Sequence, residues 1–150
     1  MSIRSNPSCI SLANETLLNL LGAYDLIHQK HSLTLEKERY ANKLLVEANK
    51  LSYWIVRTNS DEKISTKASI NMLQTIRRER PFREEEKEQI KDMIDDKASG
   101  NDEKFALYLL LDDQKHAQKL FENLTVKEQE FYRTMPIFYF AHLQKLEKAE

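Results

Sequence analysis

The chain has 150 residues, a formal net charge of −1 and 41% hydrophobic residues. This size fits one compact domain, and the composition is too apolar for intrinsic disorder. The longest apolar run, 105–111, is much shorter than the roughly 20 residues that cross a bilayer. The first residues lack the uninterrupted apolar centre of a secretory signal, and Cys9 is the single cysteine, which excludes an internal disulfide. We therefore expect a folded cytosolic protein.

Glycine and proline are rare, with two glycines and three prolines in the whole chain. Because these residues supply most of the breaks between short elements, their scarcity predicts an all-α fold. No repeat, linker or low-complexity tract divides the sequence. We therefore expect one domain over residues 1–150, an irregular bundle of about six helices, with a loosely ordered segment at 1–11.

Apolar residues at helical spacing, together with start and stop signals, place the predicted helices. Ser11 is placed to cap the first helix, and Gly100 is suited to a left-handed residue that ends the fourth. Thr125 and Glu128 match the capping box, which predicts a helix start there. Pro136 predicts a kink or a break near 134–135. The six predicted helices cover about 12–31, 35–57, 65–79, 83–98, 102–124 and the residues after 125.

Acidic residues are concentrated in the segment 84–113, which has eleven acids and four bases. Clustered carboxylates speed the encounter with a basic protein surface and select against neutral ones. A charge field of one sign also serves solubility alone, and that alternative stays open. The functional expectation is that this segment binds another protein with a basic surface, such as a nuclease, with Met93 or Tyr108 as apolar anchors. The predicted contact residues are Glu84, Glu85, Glu86, Glu88, Asp92, Asp95, Asp96, Asp112 and Asp113.

In size, charge layout and helical content the chain is similar to bacterial immunity proteins that neutralise nuclease toxins, and to phage-encoded inhibitors of host defence. The resemblance lies in this overall profile and not in a shared motif. It implies a small non-catalytic inhibitor or adaptor with no cofactor. The identity of the partner and the oligomeric state, including a homodimer, stay open.

Arginines are clustered between the predicted third and fourth helices, around an aromatic residue, Phe82, that we expect to be exposed. Guanidinium groups beside an exposed ring contact phosphates or stack on a base. The sequence pI near 6.4 and the adjacent acids favour a solvated helix end instead. A small anion site and a nucleic-acid-binding module remain alternatives. The arginines are Arg77, Arg78, Arg80 and Arg83.

Two aspartates precede a histidine at helical spacing, Asp25 with His28 and Asp113 with His116. This pattern resembles the acid-x-x-His motifs of carboxylate helical bundles that hold two metal ions. The resemblance implies iron or manganese ligands at these four positions. Those proteins use glutamate in the motif and add further inward acids, which are missing from the apolar stripes of this chain. We therefore predict no metal site and keep a metal-dependent enzyme as an alternative.

Arg133 and His142 resemble the arginine and histidine of the helical ribonucleases called HEPN domains, where the histidine acts near the cleaved phosphodiester. In those domains about four to six residues separate the pair on one helix. Here eight residues intervene, and Pro136 is among them. A degenerate ribonuclease is thus a further alternative, while the expected protein is not an enzyme.

Overall fold

The computed structural model describes residues 7–29, 34–58, 66–97 and 99–141. Across these ranges the regular structure is α-helical and contains no strand, so the predicted all-α class is confirmed. None of the helices in the described ranges is long and apolar enough to cross a bilayer. The bounded helices are α1 Pro7–His28, α2 Leu35–Thr58, α3 Thr66–Glu79, α4 Glu84–Asp95, α5 Asn101–Leu110, α6 Gln114–Glu122 and α7 Val126–Arg133.

The chain divides into two compact units, Met1–Glu79 and Arg80–Glu150. The first unit holds α1 to α3, and the second holds α4 to α7. The single domain remains a prediction.

The core of the first unit lies where α1 packs along α2, with α3 against both. Leu17 and Leu21 of α1 are fully buried there. They face Ala41 and Ala48 of α2, which are also fully buried, and whose small side chains let the two helices approach closely. Burial of these residues is the main favourable contribution to folding of this unit.

The helix bounds in the first unit match the predictions closely for α2 and α3, which differ by one residue at one end. The predicted start of α1 is wrong, because the helix begins at Pro7, five residues earlier. Proline is accommodated in the first turn, where its missing N–H has no helical partner. Ser11 therefore lies inside α1 and does not cap it, and residues 7–11 are helical. Residues 1–6 of the predicted loose segment lie outside the described ranges.

Aromatic rings connect α5, α6 and α7 in the second unit. The ring of Phe105 on α5 lies 5.5 Å, between centroids, from Phe121 on α6 and also 5.5 Å from Tyr132 on α7. Phe121 is in turn 5.7 Å from Phe138. Offset and edge contacts at these separations add to the free energy gained from burial alone.

The predicted fifth helix is two helices, because α5 ends at Leu110 and α6 begins at Gln114. Asp112 lies between them with φ of 63°, in the left-handed region. Aspartate enters this region more readily than most residues because its side chain forms local hydrogen bonds. A prediction based on glycine and proline does not detect a break made by aspartate.

The predicted role of Gly100 is also wrong. Its φ is −75° and its ψ is 168°, so it precedes α5 as the N-cap residue and does not end α4. The Glu103 carboxylate accepts a hydrogen bond from the Gly100 N–H at 3.2 Å. The end of α4 is closed instead by Ser99, whose hydroxyl donates to the Met93 carbonyl at 2.9 Å.

The capping box predicted at Thr125 is confirmed. Its hydroxyl accepts from the Glu128 N–H at 3.2 Å, and the Glu128 carboxylate accepts from the Thr125 N–H at 3.1 Å. The helix that begins there, α7, ends at Arg133. Residues 134–137 form a turn before helical residues resume at 138, so the break predicted at Pro136 is confirmed as well.

Replacing Thr125 by alanine removes one half of this capping box. We expect Thr125→Ala to lower the free energy of unfolding by about 1 kcal/mol, whereas Thr125→Ser keeps the accepting hydroxyl and stays near wild type. Urea denaturation followed by circular dichroism measures the change, and amide exchange at Glu128 locates it. Equal stability of the alanine and serine variants would contradict a role for the cap.

Candidate functional site

Asp25 and Arg78 form a buried ion pair that joins α1 to α3. The Arg78 Nε and Nη2 atoms donate to the two carboxylate oxygens of Asp25 at 2.8 and 2.7 Å. The side chain of Arg78 has no exposed surface, and that of Asp25 is 6% exposed. The Nη1 atom of Arg78 also donates to the Gln74 carbonyl at 3.0 Å. Both charges are therefore paired and hydrogen-bonded, which burial of a charge requires.

This ion pair accounts for the first Asp-x-x-His motif without a metal. Both oxygens of Asp25 already accept hydrogen bonds, while the ring of His28 packs on Tyr24 with centroids 4.3 Å apart. The Nε2 atom of His28 is buried and has no hydrogen-bond partner in the described part of the chain. Burial raises the pKa of Asp25 above that of a solvated aspartate, and the hydrogen bonds from Arg78 oppose the rise.

The second motif caps a helix. Asp113 is the N-cap residue of α6, and its carboxylate accepts from the His116 N–H at 3.2 Å. Its other oxygen lies 2.7 Å from Nδ1 of the same histidine, whose ring stacks on Tyr108 at 4.9 Å. The three-residue spacing is therefore the spacing of an N-cap. Among the residues that the structure describes, no three His, Cys, Asp or Glu side chains converge on a possible metal position.

The arginine cluster does not form a set of exposed guanidinium groups. Arg78 is buried against Asp25, and Arg80 donates to both oxygens of Glu86 at 2.7 and 2.9 Å. The predicted exposed aromatic residue is buried, since Phe82 retains 8% of its surface, so it cannot stack on a base. Arg77 and Arg78 belong to the first unit, and Arg80 and Arg83 belong to the second.

Arg133, one half of the predicted ribonuclease pair, packs on an aromatic ring. Its guanidinium carbon lies 5.3 Å from the centre of the Phe121 ring. Contacts of this kind hold an arginine on a ring face through the ring's quadrupole. His142, the other half, lies outside the described residues.

Carboxylates line the outward face of α4. Ile90 and Ile94 are buried on one side of this helix. Four exposed acids lie on the opposite side, within about 80° of one another at 3.6 residues per turn. Only one of them has an ion pair within the described part of the chain, from Glu88 to Lys91 at 3.5 Å. These acids, called the acidic stripe below, are Glu85, Glu88, Asp92 and Asp95.

The other predicted acids lie off this stripe. Asp96 and Asp112 are exposed at helix ends, and the predicted apolar anchors Met93 and Tyr108 are half-buried. Three further acids have partners: Glu84 pairs with Lys87 at 3.4 Å, Glu86 pairs with Arg80, and Asp113 caps α6. Of the nine predicted contact residues, the structure thus aligns four on one helix face.

An ordered outward face on α2 was not predicted from the sequence. Ala41, Ala48 and Ile55 are buried on one side of that helix. The opposite side carries four cations and two apolar residues, of which Val46 is 51% and Tyr53 is 65% exposed. The signal was present as a second three-and-four spacing, out of phase with the core residues. These residues, called the basic stripe below, are Arg39, Lys43, Val46, Lys50, Tyr53 and Arg57.

Removing one charge of the buried pair leaves the other uncompensated. We expect Asp25→Asn to lower the free energy of unfolding of the first unit by about 3–5 kcal/mol. Glu15→Gln, which neutralises an exposed acid on the same helix, changes it by less than about 0.5 kcal/mol. Urea denaturation followed by fluorescence of Trp54, the single tryptophan, reports on this unit. A loss below about 1 kcal/mol in Asp25→Asn would show that the pair is dispensable.

Stability of the second unit should depend on pH through Glu86. Hydrogen bonds from Arg80 lower the pKa of Glu86 from 4.5 to about 2. A carboxyl whose pKa is lower in the folded state stabilises that state above its unfolded pKa, and the contribution is lost as the pH falls towards 2. Glu86→Gln should therefore be less stable than wild type at pH 7, with the difference shrinking below pH 4.5.

Denaturation curves for the second unit between pH 7 and about 2 measure this difference. Glu85→Gln is the matched control, because Glu85 is exposed on the same helix turn and has no ion pair within the described residues. A constant difference between Glu86→Gln and wild type over the whole pH range would rule out the proposed linkage.

No protein-family model matches the chain, no curated protein matches its sequence, and no solved structure matches its fold.

Proposed function

We propose that this chain is a small cytosolic protein-binding domain that covers a basic surface of another protein, and that it acts without catalysis. The observation that carries the proposal is the acidic stripe on α4. It presents four carboxylates on one helix face, and three of them, Glu85, Asp92 and Asp95, have no ion pair within the described part of the chain.

The packing of α4 supports a role in binding. Ile90 and Ile94 hold the helix by one narrow buried side. The acidic stripe runs about 15 Å along the opposite side, from Glu85 to Asp95, at the helical rise of 1.5 Å per residue. Because the helix is fixed by its other face, its carboxylates meet a partner without rearrangement of the core. A preformed surface loses less conformational entropy on binding than a flexible one.

The charge of the stripe indicates the class of partner. Carboxylates on one face repel one another weakly, and a basic surface replaces that repulsion by attraction. Such surfaces occur on proteins that bind a phosphate backbone, because they carry clustered lysine and arginine. The proposed target is therefore the phosphate-binding groove of a nuclease or of a similar nucleic-acid-binding protein. If the chain blocks that groove it acts as an inhibitor. If it links the target to another protein it acts as an adaptor.

The contacts of the alternative sites favour binding over catalysis. Asp25 is occupied by Arg78, and Asp113 caps α6, so both aspartates already have a structural role. Among the arginines, Arg78 and Arg80 are paired with carboxylates. Stoichiometric metal in the purified protein, or RNA binding that weakens steeply with salt, would favour the metal-enzyme or the nucleic-acid alternative instead.

Reversing two charges of the stripe tests the proposal. Wild-type protein is used to capture partners from its native lysate at low and high salt, and the captured basic protein is then purified. We expect Asp92→Lys/Asp95→Lys to slow its association with that protein at least tenfold, because electrostatic steering acts mainly on the association rate. Surface plasmon resonance at several salt concentrations measures the rates.

Glu15→Lys/Glu130→Lys is the matched control. It changes the net charge by the same amount, and both positions are exposed and distant in sequence from α4. Circular dichroism and thermal melting confirm that each variant is folded. Equal association rates for the stripe variant and this control would refute a role for the acidic stripe, as would capture that does not weaken at high salt.

A further inference from the structure

The basic stripe of α2 has the spacing by which one helix packs along another. Its six residues follow one another at intervals of four and three, from Arg39 to Arg57, over about 27 Å of helix. Arg39, Val46 and Tyr53 recur every seven residues on one edge of the stripe. Lys43, Lys50 and Arg57 recur every seven residues on the other edge. This heptad pattern is that of an interhelical seam, yet here it lies on the exposed side of the helix.

The exposed apolar members of the stripe favour a helical protein partner over a nucleic acid. Tyr53 and Val46 leave more than half of their surface in water. The Arg57 guanidinium lies 5.6 Å from the centre of the Tyr53 ring, so cation and ring form one surface. Cations attract a phosphate backbone, whereas a valine at heptad spacing adds nothing to that attraction. An amphipathic helix with acidic side chains matches both features.

A helix of that kind is present in the second unit. Glu85 and Asp92 are seven residues apart on α4, as are Glu88 and Asp95. At the helical rise, seven residues span about 10.5 Å, which is also the separation from Lys43 to Lys50. Carboxylates on one helix and cations on the other therefore share a repeat.

The net charges of the two units are opposite in sign, which also favours a contact between them in two different copies. The first unit has eleven basic and eight acidic residues, and the second unit has twelve and sixteen. Two copies of the chain thus attract each other when the first unit of one approaches the second unit of the other.

We propose that the basic stripe on α2 of one copy binds the acidic stripe on α4 of a second copy. The contact is heterologous, because the two surfaces differ, and it links copies head to tail. It shares with the proposed function the premise that the acidic stripe binds a basic protein surface. Self-association then covers that stripe, and a basic partner must displace the second copy to reach it.

The size of α4 limits the strength of this contact. Its twelve residues cover about 18 Å, so the interface is smaller than that of a stable complex. Exposed charge pairs contribute little each and are screened by salt. The association should therefore be weak, concentration-dependent and strongest at low ionic strength.

Sedimentation velocity of the full chain tests the self-association. We expect the average mass to rise above the monomer mass of 17.7 kDa with concentration in about 10 mM salt, and to fall back at about 150 mM. Asp92→Lys/Asp95→Lys and Lys43→Glu/Lys50→Glu should each weaken the association at least tenfold. Lys37→Glu/Lys67→Glu and Glu15→Lys/Glu130→Lys, at exposed positions off both stripes, should leave it unchanged.

Mixing the two charge-reversed variants distinguishes the loss of this contact from a general loss of stability. The two stripe variants should each be monomeric alone and should associate when mixed, because each then meets the opposite charge on its partner. A chain carrying all four substitutions should self-associate again. Trp54 fluorescence and circular dichroism confirm folding of every variant.

Three results would overturn the proposal: a monomer at every concentration in low salt, no association in the mixture of folded variants, or association that does not depend on salt. Single-stranded poly(U) that binds the monomer and is lost in Lys43→Glu/Lys50→Glu would assign the stripe to nucleic acid instead. A different result would contradict the proposed function alone: Asp92→Lys/Asp95→Lys would abolish self-association but leave binding to the basic partner unchanged.

Discussion

The bidentate ion pair between Asp25 and Arg78 determines how α1 meets α3 in the first unit. Burying two charges is costly, and close pairing with additional hydrogen bonds offsets that cost. Arg78 supplies both, with two hydrogen bonds to Asp25 and a third to the Gln74 carbonyl. The pair also removes from solvent one candidate metal ligand and one candidate phosphate contact.

Local signals in the sequence were sufficient for some of the helix bounds. The bounds of α2 and α3 follow from apolar periodicity, and the start of α7 follows from the capping box at Thr125. The separation of α5 from α6 could not be predicted in this way, because the left-handed residue is Asp112 and not a glycine. The role predicted for Gly100 was wrong because its backbone is extended and the residue serves as an N-cap. At Gly100 a hydrogen bond from its N–H to the Glu103 side chain outweighed the preference of glycine for a helix end.

The candidate sites were less predictable than the fold. The partner of Asp25 lies 53 residues away in sequence, and nothing near either residue indicates the pairing. The Asp-x-x-His spacing at Asp113 is common to helix caps and metal ligands, so only the contact with the His116 N–H separates the two. The acidic stripe, by contrast, could be located from sequence because charge density needs no tertiary contact. The alignment of these acids on the outward face could be recognised only from the structure, in which Ile90 and Ile94 are buried on the opposite side.

Folding constrains only one side of a surface helix, so order on the other side has a different origin. On α2 and α4 the core residues account for the buried faces, and any soluble mixture of polar residues would serve on the outward faces. Instead Lys43, Lys50 and Arg57 recur every seven residues on α2, and acids recur at the same interval on α4. Exposure of Val46 and Tyr53 to water does not stabilise the chain. Contact with a second helix would bury their apolar surface, which is favourable. The order on both outward faces supports the binding roles proposed for them.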